Sequence, residues 1–163
     1  MGKVRTNIDR KELQEGFDKV LHWITKVKDY DVYVYPKAKD EFHRQYKRIC
    51  INSSLGIEKR LYSLLHECGH LLIQDNKKNY SKEYASHVSV WSDGRKNKTD
   101  KYKISLIGEE YEAWKRGARL AKRLGIKLNK DRYEQYKAHC IMSYLHWATD
   151  PDTPADPWME ETS

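Results

Sequence analysis

The stretch from Gly56 to Ile73 constrains this chain more than any other part of it. It contains His66-Glu67-Cys68-Gly69-His70, and its apolar residues recur with helical spacing. Leu61, Leu65, Cys68 and Leu72 follow a 4-3-4 stripe that belongs in a core. In a helix, residues four apart lie nearly one above the other, so His66 and His70 present two imidazoles on one face. Zinc accepts histidine nitrogens at about 2.0–2.1 Å in tetrahedral geometry, and one helical turn suits two such ligands. Glu67 lies about 100° round from His66. Its carboxylate can reach water on the metal without ligating, as a general base requires. Cys68 falls on the core stripe and reads as a small buried residue rather than a ligand. Gly69 costs about 1 kcal/mol relative to Ala inside a helix. A glycine there points to close approach of another backbone, such as a strand lying over the site. Chance spacing on a solvated helix is the competing reading. It fares badly because Leu71, Leu72 and Ile73 follow at once.

A catalytic zinc takes three protein ligands and an open position. Candidates for the third lie in IGEEYEAWKRGARLAKRLG. Glu112 shares a helical face with Arg116, Arg119 and Arg123, a charged stripe suited to solvent. Glu109 shares one with Ala113, Arg116 and Leu120, a mixed face. Glu110 shares one with Ala113, Trp114, Gly117 and Ala121, whose small residues permit close packing on another helix. A carboxylate on that seam is expensive unless it meets a cation. Glu110 is therefore the expected ligand, with Glu109 second. His87, in a polar stretch, is a rival that would give three histidines. The metzincin pattern is absent, because Ile73 and Asn76 occupy its later positions.

The rest of the chain supplies an α+β frame. Residues 9–28 read as a helix through Leu13, Phe17, Val20, Leu21, Ile24 and Val27, with Asp9 as cap and Glu12 three positions on. DVYVYP is a strand stopped by Pro36, KAKDEFHRQY is a turn or strand edge, and KRICINSS is a second strand. Residues 74–103 are charged and poor in aliphatics, and read as an extended excursion with a short strand at His87–Trp91. Leu106–Leu124 is helical and ends at Gly125, and Asn129–Ala148 is a final helix. The expected architecture is one domain over 1–148, with a small, mostly antiparallel sheet surrounded by helices. Residues 149–163 read as an acidic, proline-rich disordered tail, with an inhibitory fold-back anchored by Trp158 as the less favoured alternative.

Composition narrows the function classes. The 163 residues carry a net charge of +7. The tail holds five acids and no base, so residues 1–148 carry 31 bases against 19 acids. Such a body could meet nucleic acid or an acidic protein, but no nucleic-acid motif accompanies the charge, so a solvated surface is preferred. No apolar run is long enough for a membrane span, and the first residues do not resemble a secretory signal. Three widely spaced cysteines make no disulfide framework, which favours a cytosolic setting.

HECGH followed by Glu110-Tyr111-Glu112-Ala113 resembles the small zincin metallopeptidases of the ImmA/IrrE type, and still more the short zincin-like proteins of bacteriophages. The resemblance spans roughly residues 10–148, with its specific part at 57–73 and 108–125. It implies His66, His70 and Glu110 as zinc ligands and Glu67 as general base. It implies a peptidase that cleaves a regulatory or host protein in the cytoplasm, the host's if the chain is phage-encoded. Two features depart from the family pattern. Ala113 is followed by Trp-Lys-Arg-Gly rather than Asn-x-Phe-Ala, and 39 residues separate His70 from Glu110. The principal alternative is a non-catalytic, zinc-containing module that binds a host protein or nucleic acid. A third reading, DNA-linked proteolysis of the SprT type, would favour His87 as ligand. Tyr111 and His87 are both available to stabilise an oxyanion.

Overall fold

The computed structural model describes residues 8–88 and 99–150. Helix α1 (Arg10–His22) runs on through a π-helical turn, Trp23–Val27. Three strands follow: β1 (Asp31–Tyr35), β2 (Glu41–His43) and β3 (Arg48–Asn52). Then come α2 (Ile57–Asp75), α3 (Lys77–Glu83), α4 (Ala85–Val88), α5 (Asp100–Arg123) and α6 (Lys130–Thr149). The α+β class expected from the sequence is observed.

Local signals place most of the boundaries. Asp9 accepts the Glu12 amide at 2.8 Å and starts α1. Thr99 accepts from Tyr102 at 3.2 Å, and Asn129 from Arg132 at 3.1 Å. Helix α5 ends with Gly125 at φ +70°, a left-handed conformation that favours glycine. The Ile126 amide there donates to Ala121 and the Gly125 amide to Lys122, which closes the last turn.

The sheet order is β1–β3–β2. Ile49 and Ile51 of the central strand are fully buried, and Val32, Val34 and Phe42 are their partners in register on the same face. The sheet is mixed rather than mostly antiparallel. β2 pairs antiparallel with β3, but the longer ladder, Asp31–Tyr35 against Arg48–Asn52, is parallel. Alternation along a strand fixes which face is buried and says nothing of direction. Here the short strand β2 reverses the chain, so that β3 returns alongside β1.

A second difference concerns residues 74–103. The described part is helical, and α5 begins at Asp100 rather than Leu106. His87 and Val88 end α4 instead of starting a strand, while residues 89–98 lie outside the described residues, as does the tail from 151. The reason is visible in the spacing. Tyr80, Tyr84 and His87 recur at four and three, and this face packs on Ile73 and Ala113 while Lys77, Lys78 and Lys82 face water.

Helices α2 and α5 pack on one another more extensively than any other pair. Leu61, Leu65 and Cys68 of α2 are fully buried, and Leu72 is partly so. Gly69 meets another backbone, as expected, but the partner is helix α5 and not a strand. A β-carbon at Gly69 would lie 1.9 Å from the Ala113 carbonyl oxygen, and one at Gly117 would lie 2.5 Å from that of Leu65. The two glycines thus bring the two helix backbones into contact.

Gly69→Ala forces these helices apart. We expect a net loss on the order of 3 kcal/mol, despite the better helix propensity of alanine. That corresponds to a Tm lower by roughly 6–12 °C in a chain of this size. Gly56, where an added β-carbon would meet nothing within 4 Å, is the control, and Gly56→Ser should leave Tm unchanged or slightly raised. Equal stability of Gly69→Ala and the parent in thermal denaturation would refute the contact.

Candidate metal centre

The α2–α5 contact sets His66 and His70 opposite Glu110. Glu110 Oε2 lies 2.9 Å from His66 Nε2, and Glu110 Oε1 lies 3.2 Å from His70 Nε2. The two Nε2 atoms are 3.2 Å apart. These three residues form a group whose ligand atoms all lie close enough to hold one metal ion. A tetrahedron with arms of about 2.0–2.1 Å has edges of about 3.3 Å. The observed separations fit a face of that figure. The donor set, two imidazoles and a carboxylate, suits zinc.

Each imidazole is held differently. His66 stacks on the Trp114 ring, with centroids 4.3 Å apart and planes 25° from parallel. Trp114 is fixed in turn by the Tyr133 hydroxyl, which donates to its carbonyl oxygen at 2.5 Å. His66 Nδ1 is buried with no hydrogen-bond partner among the described residues. His70 instead donates from Nδ1 to Glu109 Oε2 at 2.5 Å. When the ring is neutral, this bond keeps its one proton on Nδ1 and leaves the Nε2 lone pair facing Glu110 and His66.

Glu109 gathers more than His70. Its Oε1 accepts from the Tyr80 hydroxyl at 2.6 Å and from His87 Nε2 at 3.0 Å, and Gln74 Nε2 donates to Oε2 at 3.3 Å. His87 Nδ1 accepts from Ser105 Oγ at 2.7 Å.

Charge in this cluster is strongly biased. Burial disfavours ionisation of Glu109 and Glu110, but His70 and the other donors around them outweigh it, so both carboxyls sit well below the usual range. Burial also works against a charged His70, yet Glu110 and Glu109 prevail and hold its pKa well above that of free histidine. Burial lowers His66, with Glu110 opposing. Without a metal the cluster therefore holds two carboxylates and one imidazolium. A dication facing neutral imidazoles would balance the two carboxylates fully, and this is the second ground for a fit.

Glu67 is buried beside the trio. Burial pushes its carboxyl up to about 8, opposed by His70 and reinforced by Glu110, Asp40 and Glu41. Asp40, before β2, is half-buried and accepts the Asn52 amide at 2.7 Å.

The structure therefore brings His66, Glu67, His70 and Glu110 together. Glu109 lies behind His70 rather than in the trio, and His87 lies behind Glu109. His87 is buried, not exposed as its polar surroundings suggested. Tyr111 is half-exposed, its ring under the Lys137 and Lys115 ammonium groups, and no contact links it to the trio. Sequence reasoning missed Tyr80, Trp114 and the task of Glu109. The 80–84–87 helical spacing was the signal available for the first.

Removing Glu110 leaves two imidazoles with no anion between them. Glu110→Ala and His66→Ala should each weaken zinc binding by more than about 100-fold in competition with a chromophoric chelator. Glu112→Ala, on the solvent stripe, should not. Unchanged zinc affinity in Glu110→Ala would remove that residue from the centre.

Residues 26–88 match the family model Peptidase_M78, described as the IrrE N-terminal-like domain. The matched segment runs from the end of the π-helical turn through the sheet and α2 to the end of α4. It holds His66, Glu67 and His70, while Glu109 and Glu110 lie beyond it. Comparison with curated proteins and with solved structures found no match. Among the described residues no helix is long and apolar enough to cross a membrane. The family match implies a metallopeptidase-type function and, with it, a protein substrate. Through residues 26–88, then, the chain is similar to the IrrE N-terminal-like domain of the Peptidase_M78 family, which bears out the ImmA/IrrE-type resemblance of its HECGH motif.

Proposed function

We propose that this chain is a zinc-dependent metallopeptidase, with His66, His70 and Glu110 as metal ligands and Glu67 as general base. The single observation that carries the reading is the convergence of three ligand atoms beside a buried, acid-poised Glu67. The family match supports hydrolysis of a peptide bond over a purely structural metal. When bound, zinc lowers the pKa of water and polarises a carbonyl. Glu67 takes the proton from the attacking water as its oxygen adds to the carbonyl carbon. It then delivers that proton to the amine as the C–N bond breaks. A base must be ionised, and a neighbouring dication opposes the burial that pushes Glu67 up to about 8. Cleavage should therefore fall as pH drops through the pKa that Glu67 has in the metal-loaded protein.

The catalytic unit we propose is residues 1–148, with 149–163 as a tail outside it. The resemblance to phage zincins supports a specific regulatory or host protein in the cytoplasm as target.

Glu67→Gln keeps the shape and removes the base. Zinc affinity should stay within about threefold, while cleavage of a peptide library, followed by mass spectrometry, should drop by roughly 10²–10⁴. A zinc-loaded Glu67→Gln protein that cleaves at the parent rate would sink the mechanism.

A further inference from the structure

Glu109 lies where four helices meet. It accepts from His70 and Gln74 of α2, from Tyr80 of α3 and from His87 of α4, and α5 carries it. Four donors match the roughly four acceptor positions of one carboxylate. His87 is itself held from its other nitrogen by Ser105 of α5.

The two short helices bury few residues of their own. No residue of α3 is buried, and His87 is the one buried residue of α4. Their apolar contact is the small cluster of Tyr80, Tyr84 and Val88 against Ile73 and Ala113. Tyr80 and His87 both reach the body through Glu109, and His87 reaches it through Ser105 as well.

We propose that Glu109 is a positioning residue that couples metal binding at His70 to the docking of residues 77–88. The inference rests on the metal reading above. The coupling follows from the shared carboxylate. With α3 and α4 docked, Glu109 is fixed by Tyr80 and His87 and keeps the His70 proton on Nδ1, so that Nε2 presents its lone pair to the trio. With them undocked, Glu109 loses two of its four donors and gains water, and His70 is no longer held to one tautomer and orientation. Zinc then binds the docked form more tightly, and by reciprocity zinc favours docking.

The test uses the whole chain with zinc as the probe and reads two quantities. The first is zinc affinity by chelator competition. Glu109→Ala should weaken it by about 10–100-fold, and Glu109→Gln, whose one side-chain oxygen can still accept from Nδ1 while its amide nitrogen cannot accept from Tyr80 or His87, should recover only part of the loss. His87→Ala and Tyr80→Phe touch no ligand of the metal, yet each should weaken zinc binding by about fivefold or more. The second is amide hydrogen exchange across 77–88, which zinc should slow in the parent and not in Glu109→Ala, with α6 as internal reference. If Glu109→Ala fails to fold, Tyr80→Phe, which deletes one hydroxyl, decides by the same two readouts. Parent-like zinc affinity in Tyr80→Phe and His87→Ala, or exchange in 77–88 indifferent to zinc, would overturn the coupling and leave the metal centre intact. A parent protein that binds no zinc would overturn both.

Discussion

Two helix backbones touch where Gly69 of α2 meets Ala113 of α5 and Gly117 of α5 meets Leu65 of α2. The rest of the structure depends on that contact. His66 and His70 each follow a contact residue by one position, and Glu110 precedes Ala113 by one helical turn. Had the two helices packed through ordinary side chains, their axes would lie about 8–10 Å apart, and the Glu110 carboxylate would stop short of the imidazoles. The glycines remove that spacer. The stability cost of glycine inside a helix is thus the condition for a ligand trio with edges of 2.9–3.2 Å.

Burying so many ionisable groups in one place needs a compensating charge. Glu67, Glu109, Glu110, His66 and His70 are all largely withdrawn from water. Apolar packing around them, from Trp114 and the core of α2, strengthens every attraction and every repulsion. The cluster resolves this by keeping Glu109 and Glu110 ionised against His70 and by pushing Glu67 towards its neutral form. Apolar packing alone would give a more stable interior; the arrangement observed is one that a dication completes.

The sequence was legible where one physical rule acted alone. Period 3.6 identified α1, α2, α5 and α6, and the cap at Asp9 was visible as a residue type. The small-residue face of α5 announced a close helix contact and selected Glu110 over Glu112. What escaped were relations between segments distant in sequence. Strand alternation could not reveal that β1 and β3 run parallel. Polar composition between 77 and 88 suggested an exposed extension, because its buried face is made of tyrosines and a histidine rather than aliphatics. Glu109 looked like a mixed-face residue, because its donors come from α2, α3 and α4. The family match ends at Val88, before α5, so the third side of the trio comes from the geometry and the helical-face argument.

The adjacent acids of α5 explain why two different tasks fall on neighbouring residues. Successive residues on a helix point about 100° apart. Glu110 therefore faces the trio while Glu109 swings behind it, and the His70 ring sits between them. Glu109 holds Nδ1 at 2.5 Å, and Glu110 approaches Nε2 at 3.2 Å. The two nitrogens lie on opposite edges of the ring, so a single helix grips one imidazole from both sides. One of these carboxylates can share a cation with the ring. The other dictates which nitrogen is free to do so, and it is the one that α3 and α4 hold in place.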